Sequence, residues 1–154
     1  MLKKKTIDNA LISALLVLLT AGIARLFVDT NSAWYLSLIK PSFQPPDWAF
    51  IVAWSVIYLL FGVSFYFARQ NGADKKTYVL YFSQAALNIL WCLFYFTLHM
   101  LYSGLAIIIF YLVATYLTIR DTYAKTKLGA LLLLPQAVWL ILAAALNYTT
   151  ILLN

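Results

Sequence analysis

Three sets of residues in this chain have types and spacings that could do chemistry, and all are aromatic or amide. Trp54, Tyr58, Phe61 and Phe65 recur at intervals of three and four; so do Gln84, Asn88, Trp91 and Tyr95, and again Pro135, Trp139, Ala143 and Asn147. Such intervals place each set on one face of a helix. An amide in hydrocarbon is costly unless hydrogen-bonded, so Gln84, Asn88 and Asn147 are expected to face a shared interior. Ring faces meeting there would line an apolar cavity with a few polar groups, the usual make-up of a small-molecule site. Ala143, between Trp139 and Asn147, would leave room for a flat ligand. The competing reading is that the rings are packing and the amides join helices. Periodicity alone does not separate the two.

Other chemistries have little to build on. The chain has no glutamate, and Asp8, Asp29, Asp47, Asp74 and Asp121 fall at the ends of apolar runs or between them. Ion-coupled transport normally needs charge inside the membrane. Arg25 is the only cation well inside an apolar stretch, and it can snorkel to an interface. His99 and Cys92 are single residues of their kind. They give no ligand set for a metal and no intrachain disulfide. No glycine-rich phosphate loop or Ser-His-Asp set is visible, and no metal or resident cofactor is expected.

The elements that must position these stripes are membrane spans. The chain has 154 residues, 64% hydrophobic and 10% charged, with a mean hydropathy of +0.86. Soluble domains are about 45–50% apolar and about 25% charged. A helix needs about 20 apolar residues to cross the hydrocarbon. Five stretches qualify, approximately 7–28, 47–68, 77–98, 103–119 and 128–150. The expected fold is an all-α bundle of five transmembrane helices forming a single domain over 1–154. Gly72 and Gly104 are expected to make turns. Asp29 to Pro46 is the long connector; its Trp34, Tyr35, Pro41, Phe43, Pro45 and Pro46 suit an interfacial segment or a lid.

The charge of +6 is spread between apolar runs, which disfavours nucleic acid as a partner and fits anionic lipid. Nine of the 11 Lys and Arg residues fall on the N-terminal side of a five-span topology, leaving Arg25 and Lys40 on the other. The bias predicts a cytoplasmic N-terminus. Lys3-Lys4-Lys5 before an apolar run resembles a signal peptide, but no A-x-A-like site follows, and a retained first span is expected.

The run Trp34-Tyr35-x-x-Leu38-x-Lys40-Pro41-Ser42-Phe43-x-Pro45-Pro46-x-Trp48, followed by Trp54 and Tyr58, resembles the signature of the TspO/MBR family, the translocator proteins or peripheral benzodiazepine receptors. Asn88-x-x-Trp91-x-x-Phe94 and Leu134-Pro135-x-x-x-Trp139-x-x-x-Ala143-x-x-Leu146-Asn147 fit it too, so the resemblance covers the whole chain. It implies five helices, usually a homodimer, with a pocket covered by the first connector. It also implies binding of tetrapyrroles such as protoporphyrin IX and of isoquinoline- and benzodiazepine-type drugs. By position, the pocket would be lined by Trp34, Tyr35, Pro45, Trp48, Phe50, Trp54, Tyr58, Asn88, Trp91, Trp139, Ala143 and Leu146. Some bacterial members are reported to promote light- and oxygen-dependent porphyrin breakdown, and the tryptophans implicated match Trp54 and Trp139, the candidate catalytic residues.

Three positions depart from the pattern. Phe43 stands where a Trp is common, Gln136 where a Tyr is usual, and no Lys or Arg follows Tyr148 to complete a sterol motif. The last departure disfavours sterols and favours a bacterial cell-membrane protein. The expected function is tetrapyrrole and drug-like ligand binding, with photo-oxidative degradation as a further activity. The alternatives are a transporter of porphyrins or other hydrophobic solutes, and a ligand-dependent stress sensor acting through a partner.

Overall fold

The computed structural model describes residues 2–154; Met1 and the side chains of Leu2, Lys3 and Lys4, the last two counted above in the cation bias, lie outside the described part. Its helices are α1 (Leu2–Phe27), a short α2 (Ala33–Ser37), α3 (Asp47–Gln70), α4 (Lys75–Cys92), α5 (Leu101–Lys125), α6 (Lys127–Leu131) and α7 (Leu134–Leu153). A π-helical segment, Leu93–Thr97, continues α4. Five spans are long and apolar enough to cross a bilayer: Lys5–Phe27, Asp47–Gln70, Lys75–Thr97, Leu101–Lys125 and Lys127–Leu153. No strand occurs among the described residues.

The surface is apolar and much of the interior is polar. Leu18, Leu26, Ile51, Phe110 and Val138 are each more than 60% exposed, whereas Ser64, Thr77, Gln84, Thr115, Thr118 and Thr122 are wholly buried. This is the arrangement that lipid favours, because only the interior offers hydrogen-bond partners. The spans pair in a ring: α1 against α3 and α4, α4 against α5, α5 against α7, and α7 lightly against α3. Gly62 lets α1 come close to α3, since a Cβ there would sit 2.6 Å from Val17 Cγ2.

The half of the bundle away from the long connector is filled. Phe61, Phe65 and Tyr81 pack with Leu16, Ala85 and Leu133. The Tyr81 hydroxyl lies 2.6 Å from Ser64 Oγ and 3.1 Å from Thr122 Oγ1, and Ser64 donates to the Gly129 carbonyl. Above these, Gln84 Nε2 donates to Thr118 (2.7 Å), and Gln84 Oε1 accepts from Thr115 (2.9 Å) and from Gln136 Nε2. Gln136, the departure from the family's tyrosine, thus pairs with the buried amide of Gln84 and joins α7 to α4 and α5. At the end face, Asp121 pairs with Lys125 and Lys76.

Several boundaries differ from expectation. The residues Arg120 to Lys127, expected to be a connector, carry α5 on to Lys125, because Asp121 and Lys125 lie one turn apart and pair. The last span is interrupted at Leu132–Leu133, since Pro135 has no N–H to continue the ladder from α6. Gly72 does turn, at φ 86°. Gly104 does not: it lies within α5, 3.1 Å (from an added Cβ) from Asn147 Oδ1, and serves close packing. The left-handed residue at that end is His99, φ 57°.

Two predictions follow from the filled half. Gln84→Leu removes one of the two acceptors of Gln136 Nε2, leaving only Thr115 Oγ1, and should cost about 1–3 kcal/mol, read as a lower unfolding midpoint in detergent. Adding Gln136→Leu should recover most of the loss, because Thr115 and Thr118 keep bonds to their own helix carbonyls. The second concerns α4, where Asp74 and Thr77 form a reciprocal capping box. The bonds from Thr77 hold the Asp74 carboxyl below its ordinary value of 3.8. Its contribution is therefore present above pH 3.8 and lost as pH falls through the lower folded value. The difference in Thr77 amide exchange between wild type and Asp74→Ala should be full near neutrality and vanish in strong acid.

Candidate binding cavity

The connector end of the bundle is hollow. A cavity of about 550 Å³ opens between α1, α3, the end of α4 with its π-helical segment, and α7. Four of the five spans present a face to it. α1 and the residue that follows it give Ala21, Ala24, Arg25 and Val28; α3 gives Asp47, Phe50, Ile51, Trp54, Ser55 and Tyr58. α7 gives Trp139, Ala143, Leu146, Asn147 and Thr150. The connector adds Thr30, Tyr35 and Gln44. α5 contributes no lining residue.

The α4 wall depends on a local change of helix. The Leu98 N–H reaches Leu93 O (2.9 Å), the i→i−5 pattern of a π turn. One residue is thereby absorbed in the turn, and Trp91, Cys92, Tyr95 and Phe96 all reach the void. The rings form a connected wall: Trp54 lies 5.6 Å from Tyr58 and 6.0 Å from Trp91, and Trp91 lies 5.9 Å from Tyr95. Phe50 meets Trp139 edge-on at 5.6 Å.

Polar groups on this wall are few. Trp91 Nε1 and Asn147 Oδ1 are buried with no hydrogen-bond partner among the described residues, while Asn147 Nδ2 donates to Leu101 O (3.1 Å). At the mouth, burial pushes the Tyr35 phenol above its ordinary value, the Asp47 charge adds to this, and a hydrogen bond with Gln44 opposes it. Tyr35 is therefore a neutral hydroxyl at physiological pH.

Of the residues singled out in the sequence, Tyr35, Phe50, Trp54, Tyr58, Trp91, Trp139, Ala143 and Leu146 lie together on the lining. Asn88 does not; it is 1% exposed and sits behind Tyr58, whose hydroxyl donates to its Oδ1 at 2.7 Å. It positions the phenol from outside the cavity. Trp48 is 66% exposed. With Phe50 and Trp54 turned inward on the same helix, a residue two positions before Phe50 must face outward, toward the interfacial zone that suits indole. Trp34 stacks on His99 (4.1 Å, 11°) beside a separate surface recess. Pro45 is half-buried and off the lining. Within the aromatic stripe of α3, only Trp54 and Tyr58 reach the void; Phe61 and Phe65 continue the same face into the packed half. Gln84 likewise belongs to the buried amide layer.

The α1 wall was missed in the sequence, although Ala21, Ala24, Arg25 and Val28 recur at three- and four-residue steps. Small side chains there give a cavity its room and carry no signal of their own. Phe96 and Cys92 lie one position beyond Tyr95 and Trp91, off the stripe, so the periodicity did not mark them.

The TspO/MBR family model matches residues 12–153. The chain is 38% identical over 148 residues to a tryptophan-rich protein TspO of Archaeoglobus fulgidus, covering 94% of this chain and 96% of that one. It is 34% identical to protein CrtK of Rhodobacter capsulatus, covering 82% of each chain. To the human translocator protein it is 32% identical over 120 residues, 75% of this chain and 71% of the other. With five membrane-spanning helices and a family match along nearly all its length, the chain is a multi-pass membrane protein that belongs to the TspO/MBR family.

Proposed function

We propose that the protein binds flat aromatic ligands within the bilayer, with protoporphyrin IX or a related tetrapyrrole as the ligand class and isoquinoline- or benzodiazepine-type compounds as competitors. The observation that carries this reading is the aromatic cavity itself. Its volume of about 550 Å³ falls inside the range of roughly 300–1,000 Å³ typical of small-molecule sites. Offset or edge-on ring contacts add about 0.5–1.5 kcal/mol each beyond the burial of apolar area. Trp91, a residue of this wall, carries a buried indole N–H with no partner among the described residues. The connector is the lid of this site, a homodimer is its working form, and the cation bias puts the N-terminus in the cytoplasm of a bacterial cell.

The same reading extends to chemistry. An excited porphyrin passes energy or an electron to dioxygen, and an electron-rich indole beside it is open to oxidation in turn. Trp54 and Trp139 are the indoles assigned that role. A transporter remains the second reading, because relatives bear the name translocator protein. The hydrogen-bonded layer of Gln84, Gln136, Thr115 and Thr118 counts against a route through the bundle. A sensor would use the same cavity and add a docked partner.

Quenching of tryptophan fluorescence by protoporphyrin IX tests the site. Ala143→Phe should weaken the apparent affinity at least about tenfold, since a ring placed at that buried wall position takes the ligand's space. Quenching that is unchanged in this variant would move the site elsewhere. For the chemistry, porphyrin-loaded protein should bleach in light and air but not anaerobically, and more slowly in Trp54→Phe and Trp139→Phe. Equal bleaching in both variants removes the indoles from the reaction.

A further inference from the structure

Among the described residues, Arg25 is the one cationic side chain on the cavity wall. It stands in the last turn of α1, exposed on one side, and Nη1 donates to the Val28 carbonyl at 2.6 Å. That bond fixes the guanidinium at the rim and leaves most of its fork of N–H donors open. The ion pairs among the described residues join Lys76, Lys125, Asp74 and Asp121, all at the far end of the bundle. Arg25 is not among them. Asp47, also on the lining, lies in the first turn of α3. There its carboxylate complements the helix N-terminus, and it makes no ion pair with Arg25. The other cation of this end, Lys40, sits over the Tyr35 ring at 4.4 Å and is off the lining.

An unmatched guanidinium at the mouth of an aromatic chamber selects by charge as well as by shape. We propose that Arg25 is a specificity-determining residue of the cavity, binding the carboxylate of an amphipathic anionic ligand whose apolar rings lie among the inner aromatics. This rests on the reading that the cavity holds a flat aromatic ligand, and narrows it to ligands with an acidic edge. The planar fork matches a carboxylate in bidentate geometry, which an ammonium does not. Partial exposure of Arg25 keeps the effect modest, because solvent and salt screen the pair.

Protoporphyrin IX and its dimethyl ester share one macrocycle and differ in charge, so together they isolate the contribution of Arg25. Both are titrated by fluorescence quenching against the full-length protein in uncharged detergent, as wild type, Arg25→Gln and Arg25→Lys. The quantity read is the diacid-to-ester affinity ratio in each variant relative to wild type, from which unequal partition into micelles cancels. Arg25→Gln should lower that ratio about tenfold, by weakening the diacid while the ester binds as before. Arg25→Lys should fall between. Raising the salt should erode the diacid's advantage in wild type and leave Arg25→Gln unaffected. An unchanged ratio in Arg25→Gln overturns the proposal, and so does equal loss of both ligands, which would make Arg25 a structural residue. If neither porphyrin quenches wild type, the cavity reading itself falls; if both quench and only the ratio is flat, that reading stands and the role of Arg25 alone is lost.

Discussion

Hydrocarbon cannot hydrogen-bond, and the rest of this structure depends on that. An amide or hydroxyl within the membrane finds its partner inside the bundle or on its own helix, or stays unpaired at a cost. Thr20, Thr115, Thr118 and Thr150 do the second, each donating to the carbonyl four residues back. Gln84, Gln136, Ser64 and Tyr81 do the first, and in doing so bind α3, α4, α5, α6 and α7 together in two adjacent layers. Such bonds are each worth about 0.6–2 kcal/mol in a membrane. Their greater effect is on register, since a buried amide left unpaired by a shift of one residue is costly.

A bundle joined firmly at one end can be hollow at the other. Below the amide layer, Phe61, Phe65 and Tyr81 fill the space between spans. Above it, the same helix faces carry Trp54, Tyr58, Trp91 and Trp139, and here they stand around a void. The difference lies in their neighbours. Ala21, Ala24 and Ala143 are small, and α5 stays behind the wall instead of filling the centre. The π-helical segment Leu93–Thr97 adds Tyr95 and Phe96 to the same wall. Asn88, buried behind the wall, holds the Tyr58 hydroxyl in place.

The spans were legible in the sequence because their signal is a long-range average: some 20 apolar residues outweigh any local exception. The faces were legible for a related reason, since 100° per residue accumulates into an unmistakable side. What a face meets at each depth is not periodic. Trp54 and Phe65 share a stripe, yet one borders a cavity and the other a core. Gln84 and Asn88 were expected to face inward and are buried, but one is in the sealing layer and the other behind a wall residue. Depth depends on which residues the other helices bring to the same level, and no single stripe records that. Charged residues misled at the helix end, where Arg120, Asp121 and Lys125 read as a loop. Beyond the hydrocarbon a helix can continue in water, and the Asp121–Lys125 pair supports it there.

The two ends of the bundle also differ in how they can move. The filled end is held by bonds between fully buried groups, which must all break together for the helices to part. The connector end is held from outside: Trp34 stacks on His99, Tyr35 meets Phe96 at 5.6 Å, and Asn154 exchanges two hydrogen bonds with the Ile39 backbone at 3.0 and 3.1 Å. Both bonds to Ile39 are exposed, so water can replace them at little cost. Local opening favours segments whose hydrogen bonds face solvent. The connector end is therefore the part of the fold that opens at least cost, while the amide layer keeps the helices in register.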